Sequence, residues 1–324
     1  MALMAGLLAL AASGCGQPAS TGNAATSGGG RRIVTTVSMV TDIVGQVAGD
    51  KCEVVGLLGE GTDPHGYKPT RNDVKQLEEA SLVFYSGLML EGRMQDAFTR
   101  VARSGKPVYA VTEALDEKYL REPPEFAGHY DPHVWMDVQA WSQCVGFVAK
   151  TLGEFDASNA ASYHENAEKY QQELVRLDEY VRKVISSIPP EQRVMVTAHD
   201  AFGYFGRAYD IEVESAQGIT TESEPGVDDI NQLVDLMVNR KVKAIFVESS
   251  VAEKNIRAIV EGAANRQWTV TVGGELFSDA AGAPGTYEGT YIGMIDHNAT
   301  TIARALGGEA PERGLNEKLN TSHP

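Results

Sequence analysis

The chain is 324 residues long, enough for two domains, and its 43% hydrophobic and 22% charged residues sit at globular values, which argues against a disordered protein. With 44 acidic against 28 basic residues the formal net charge is −16, and no basic stripe interrupts it. A phosphate backbone would be repelled, so nucleic acid is excluded as a partner, whereas a cation suits such a surface.

In chain order, the first segment is an address. "MALMAGLLALAASGCG" is a short apolar run ending in small residues and Cys15. It resembles a lipoprotein-type signal peptide, residues 1–14, after which Cys15 becomes the lipidated first residue of the mature chain. Residues 15–30 are rich in Gly, Ser, Thr and Ala, the composition of a flexible tether. No later stretch offers about 18 consecutive apolar residues, so nothing else is expected to span a bilayer. The expected location is extracytoplasmic, in a periplasm or at a cell surface, with the membrane reached through a lipid anchor at Cys15.

From Arg31 strand-like and helix-like runs alternate. Strands are expected at 33–40, 52–58, 81–87 and 107–114, which are short, rich in Val, Ile and Tyr, and bounded by Gly or charged residues. Helices are expected at 41–50, 70–80 and 91–105, with Thr70 to Asp73 offering N-cap chemistry. Continuous apolar strands alternating with helices predict an α/β lobe, residues 31–156, with a parallel sheet covered on both faces. A second round occupies residues 191–324, with strands at 193–200, 241–250 and 267–279 and helices at 201–210, 228–240 and 251–266. Neither half carries a glycine-rich loop of phosphate-binding spacing.

Between the halves, residues 157–190 hold no Gly or Pro before Pro189. Tyr163, Ala167, Tyr170, Leu174, Leu177, Val181, Val184 and Ile188 recur near helical spacing. About 30 helical residues would span roughly 45 Å, long enough to run beside both halves as a rigid spine. The alternative is two shorter helices broken near Asn166. Cys52 and Cys144 lie in no C-x-x-C spacing; two unpaired thiols are the plainer reading and a disulfide the alternative.

The seven histidines are few enough to weigh singly. His65 and His133 each follow Asp-Pro, a pair that favours an extended or turn conformation, and each precedes a helix-like segment. His199 ends an apolar strand run, and Asp279 follows another. Ligands of parallel α/β sheets gather at the carboxyl ends of strands. Three imidazoles and one carboxylate from four loops, two per half, suit a first-row divalent cation: Zn²⁺ by ligand softness, with Mn²⁺ or Fe²⁺ open. Asp63 and Asp131 are placed to take the other ring N–H of His65 and His133. His129 and His164 read as exposed, His297 as part of a C-terminal helix, and His323 as tail.

The segments "DPHGYKPTRND", "DPHVWMDV", "VTAHDAFGYFGRAYDIE", "FVESS" and "GGELFSDA" resemble, in order and spacing, the signatures of TroA-like (cluster A-I) metal-binding receptors. These are the substrate-binding proteins of zinc and manganese ABC transporters. The resemblance implies two lobes with parallel four-stranded sheets joined by a single long spine helix, and metal in the cleft on His65, His133, His199 and Asp279. It implies a monomeric, non-enzymatic, high-affinity receptor that delivers Zn²⁺ or Mn²⁺ to a membrane permease. Manganese-selective members typically carry Glu where this chain has His199, and strongly zinc-selective ones carry a His-rich loop where 115–130 has only His129. Two other readings are a surface adhesin or structural lipoprotein stabilised by metal, and a zinc hydrolase with Glu248 as base. The hydrolase needs an open coordination position that four protein ligands do not leave.

Overall fold

The computed structural model describes residues 31–320; the expected signal peptide, the tether with Cys15, and His323 lie outside the described residues. The first half holds β1 (Arg32–Thr35), β2 (Glu53–Gly56), β3 (Leu82–Tyr85) and β4 (Val108–Ala110), all parallel, in the order β2-β1-β3-β4. The crossovers carry α1 (Ser38–Ala48), α2 (Arg71–Glu79) and α3 (Gln95–Arg103), and α4 (Val138–Phe155) completes the half. Ser38–Val40, expected as the end of a strand, open α1 instead, because a short apolar run fits either period.

The spine is α5 (Ala160–Ser186), 27 residues and unbroken at Asn166, whose side chain donates to the Val47 carbonyl at 3.1 Å. At 1.5 Å per residue it runs roughly 40 Å. Its buried stripe includes Tyr163, Ala167, Tyr170, Leu174, Leu177, Val181 and Val184, the residues whose spacing predicted it.

The second half contains β5 (Val194–His199), α6 (Gly203–Tyr209), β6 (Glu212–Gln217), α7 (Val227–Arg240), β7 (Ala244–Glu248), α8 (Lys254–Asn265), β8 (Thr271–Leu276) and α9 (Tyr291–Ala305). Its four strands depart from one continuous ladder. β5 pairs with β6 and β7 with β8, both parallel, and β5 lies beside β7 without a regular ladder between them. At the carboxyl end of that seam the Glu248 carboxylate, rather than a main-chain carbonyl, accepts from the amides of Ala198 and His199 at 2.7 and 2.9 Å. In β8 a bulge opposite Ile245/Phe246 falls at Gly273-Gly274, where φ of Gly274 is +142°.

Side chains on this sheet alternate between two cores. Met195 and Phe246 join the larger core, which also holds the first half, α5 and α9. Val194, Val196, Ile245 and Val247 face the smaller one, formed with Leu233, Met237, Ile256 and Ile259 of α7 and α8. One core thus runs through both lobes. Polar straps also join the lobes: Trp135 Nε1 donates to the Ser278 carbonyl at 2.9 Å, and the Tyr291 hydroxyl to the Trp135 carbonyl at 2.7 Å. Asp178 on the spine accepts from Gln139 of the first lobe and Tyr209 of the second. Cys52 and Cys144 are both free thiols.

Candidate metal centre

Each candidate side chain is aimed by local backbone chemistry. His65 follows β2 in a turn where Asp63 Oδ1 accepts the His65 amide at 2.8 Å. Its loop is tied to α2 by a capping box, Thr70 with Asp73, and by the Tyr67 hydroxyl donating to Asp73. His133 repeats the turn with Asp131 Oδ1 accepting its amide at 3.0 Å, after which Asp137 caps α4. The two Asp-Pro-His corners are therefore two loops of one lobe, each leading into a capped helix. His199 is the last residue of β5, and Asp279 lies just beyond β8 in a loop pinned by Asn298 to both polar groups of Phe277.

The structure brings His65, His133, His199 and Asp279 together, with one ligand atom from each within 4.8 Å of all the others. His65 Nε2 is 3.2 Å from His133 Nε2, and Asp279 Oδ1 is 3.3 Å from His133 Nε2. Asp279 Oδ2 lies 3.3 Å from His199 Nε2 and 3.7 Å from His65 Nε2. An ion bonded at roughly 2.0–2.1 Å holds tetrahedral donors about 3.3 Å apart, so the cluster has the dimensions of a divalent-cation site. His133 and His199 are fully buried, Asp279 nearly so, and His65 is 5% exposed, which makes it the side chain nearest solvent. Both oxygens of Asp279 and Nε2 of His199 are buried without a hydrogen-bond partner. Buried polar atoms are nearly always paired, and three orphans converging on one point fit a bound cation.

The electrostatics favour charge in the cluster. Burial penalises the imidazolium of His133, but Asp131 and Asp279 outweigh it and push the group up to about 9. Burial likewise opposes charge on His199, and the Glu248 and Asp279 carboxylates hold it well above its usual value. For Asp279 burial favours the neutral acid, yet the surrounding histidines keep it well below the usual carboxylate range. His65 is the exception: burial dominates and lowers it to about 3. The carboxylates thus favour positive charge on the two imidazoles that face Asp279, where a metal ion would put its own.

Two partner assignments differ from expectation. Asp131 does hold Nδ1 of His133, at 2.8 Å, but Asp63 takes the His65 amide and the Thr221 hydroxyl instead of the ring. Glu248, named above only as the base of a hydrolase, is instead the partner of the His199 ring. Its Oε2 lies 2.5 Å from His199 Nδ1 while Oε1 accepts from two amides, so it is engaged in orienting the His199 ring. Its position at the end of a strand was the available signal. His129 and His164 are exposed, His297 sits 2.9 Å from the Glu275 carbonyl, and none of them joins the cluster.

Comparison with known proteins places this arrangement. The family model described as zinc-uptake complex component A, periplasmic, matches residues 33–305. The manganese-binding lipoprotein MntA of Bacillus subtilis (strain 168) is 42% identical over 275 residues, 85% of this chain and 89% of that protein. The zinc-binding protein TroA of Treponema pallidum (strain Nichols) is 44% identical over 276 residues, 85% of this chain and 88% of that one. A solved structure of the periplasmic zinc-binding protein TroA from Treponema pallidum superposes with a TM-score of 0.83 at 43% identity, covering 86% of this chain and 99% of its own. With two lobes of parallel strands, a spine helix and a buried cluster of three histidines and an aspartate, the chain belongs to the zinc-uptake component A family of periplasmic metal-binding proteins.

Proposed function

We propose that this chain is an extracytoplasmic receptor that captures Zn²⁺ or Mn²⁺ on His65, His133, His199 and Asp279 and delivers it to the permease of an ABC transporter. The observation that carries the reading is the convergence of unpartnered, buried Asp279 oxygens and His199 Nε2 with two further imidazoles at metal-ligand separations. Three nitrogen donors favour Zn²⁺ over Mn²⁺ and Fe²⁺ by ligand softness. Relatives at similar identity are named for zinc in one case and manganese in the other.

The lobes are residues 31–156 and 191–324, the connector is 157–190, and the monomer is held at the membrane through Cys15. No described helix is long and apolar enough to cross a membrane. The cargo is bound and released unchanged, with Glu248 holding the His199 ring. Metal analysis of protein from unsupplemented cells, followed by Zn²⁺/Mn²⁺ competition calorimetry, tests the reading. One ion per chain is expected, with Zn²⁺ preferred, and His199→Ala should lose at least about 100-fold in affinity while staying folded. Unchanged affinity in that variant would sink the site.

A further inference from the structure

The loop that leads into His133 is closed by a device that metal binding by itself does not require. Its neck is formed by the Asp131 amide donating to the Arg121 carbonyl at 2.8 Å. Across this neck lies the hydroxyl of Tyr204, from α6 of the opposite lobe. It accepts from the Arg121 amide and donates to the Asp131 carbonyl, each at 3.0 Å. The Arg121 guanidinium then reaches the buried Asp131 carboxylate, with Nη1 2.5 Å from Oδ2, while Oδ1 takes the amide and ring nitrogen of His133. Arg121 occupies the oxygen that His133 does not, and so fixes the rotation of the carboxylate that fixes the ring.

The guanidinium occupies space that exists only because residue 203 is glycine. A Cβ there would lie 1.3 Å from Nη1 and 2.2 Å from Cζ of Arg121. A methyl group at that point displaces the end of a flexible side chain rather than backbone. Arg207 of α6 adds a second hold: its Nη1 donates to the Tyr119 carbonyl at 2.7 Å, and its Cζ lies 4.2 and 5.0 Å from the Tyr119 and Tyr204 rings. The segment preceding His133 and the helix following His199 are thus clamped together from opposite lobes.

We propose that Arg121, seated against Gly203, is a positioning residue for metal retention. It locks Asp131, Asp131 locks the His133 ring, and the same seat ties that loop to α6, so breaking it speeds release of the ion. Capture is little affected, because approach is governed by the overall negative charge and by His65 at the solvent side. The inference rests on the ligand role proposed for His133.

Zn²⁺ release into excess chelator, followed by stopped flow, provides the test. Arg121→Gln and Gly203→Ala should each raise the dissociation rate about 10–100-fold, and the double variant should release no faster than the faster single one, because both remove the same ion pair. In the Co²⁺-loaded protein the hyperfine-shifted Nδ1–H resonance of His133 should move or broaden in both variants, a change that a merely structural role would not produce. Release at the wild-type rate in both variants, or effects that multiply in the double, would overturn the role of Arg121 alone. Failure of the wild-type protein to take up Zn²⁺ would overturn the receptor reading and this inference with it.

Discussion

His133 and His199 each lie against a carboxylate at Nδ1 and face Asp279 at Nε2, so on the ligand role proposed for them metal binding should compete with protons. With His133 pushed up to about 9 and His199 held higher than usual, binding at neutral pH should release about two protons. Metal affinity should therefore climb from pH 6.5 to 9, and calorimetry in buffers of different ionisation enthalpy counts the protons; a flat profile would contradict the assignment. Stability of the metal-free protein runs the other way. A histidine raised to about 9 stabilises the fold fully below its unfolded value near 6.5 and loses that contribution as pH rises through 9. His65, lowered to about 3, acts on the opposite side, costing stability as pH falls from about 6.5 towards 3. Most of this cluster is legible in sequence, because Asp-Pro-His corners and strand ends are local signals. Arg121 is not: a loop arginine ten residues from the aspartate it grips has no characteristic spacing, and the glycine that seats it lies in another lobe.

Among the elements, α5 carries the heaviest structural duty, since its buried stripe belongs to the core that runs through both lobes. Leu177 is fully buried within that stripe. Leu177→Ala should destabilise the protein by about 2–5 kcal/mol in urea unfolding and leave the metal stoichiometry at one. A loss below about 0.5 kcal/mol would mean that the spine is peripheral to the core. The spine was readable because one face is polar and no breaker interrupts it. Two other elements escaped. The sequence of α4 does carry a polar stripe at helical spacing, Gln139, Gln143, Lys150 and Glu154, all exposed, so its helix was legible and simply not among the elements expected. The sequence of β6, "EVESAQ", lies at an edge of the second sheet and lacks the apolar run of a strand buried on both faces.

At the scale of the whole molecule, the lobes are joined by a continuous core, by the straps at Trp135 and Asp178, and by links at the cleft mouth from Arg93 to Glu222 and Thr221 to Asp63. Wide hinge opening would break all of them together. Loaded and stripped protein should therefore show the same radius of gyration in solution scattering, and a clear expansion on stripping would refute the rigid-spine account. The thermal midpoint, by contrast, should rise with free metal, by the equivalent of about 4 kcal/mol at a thousandfold excess over Kd.

The four proposed donors stand at positions 65, 133, 199 and 279, and no stretch of chain supplies two of them. A nascent or unfolded copy can offer an ion only isolated side chains, with none of the chelate advantage that the closed cleft provides. Acquisition of cargo is thereby tied to completed tertiary structure. An unfolded copy therefore competes only weakly for the ions that a folded one captures.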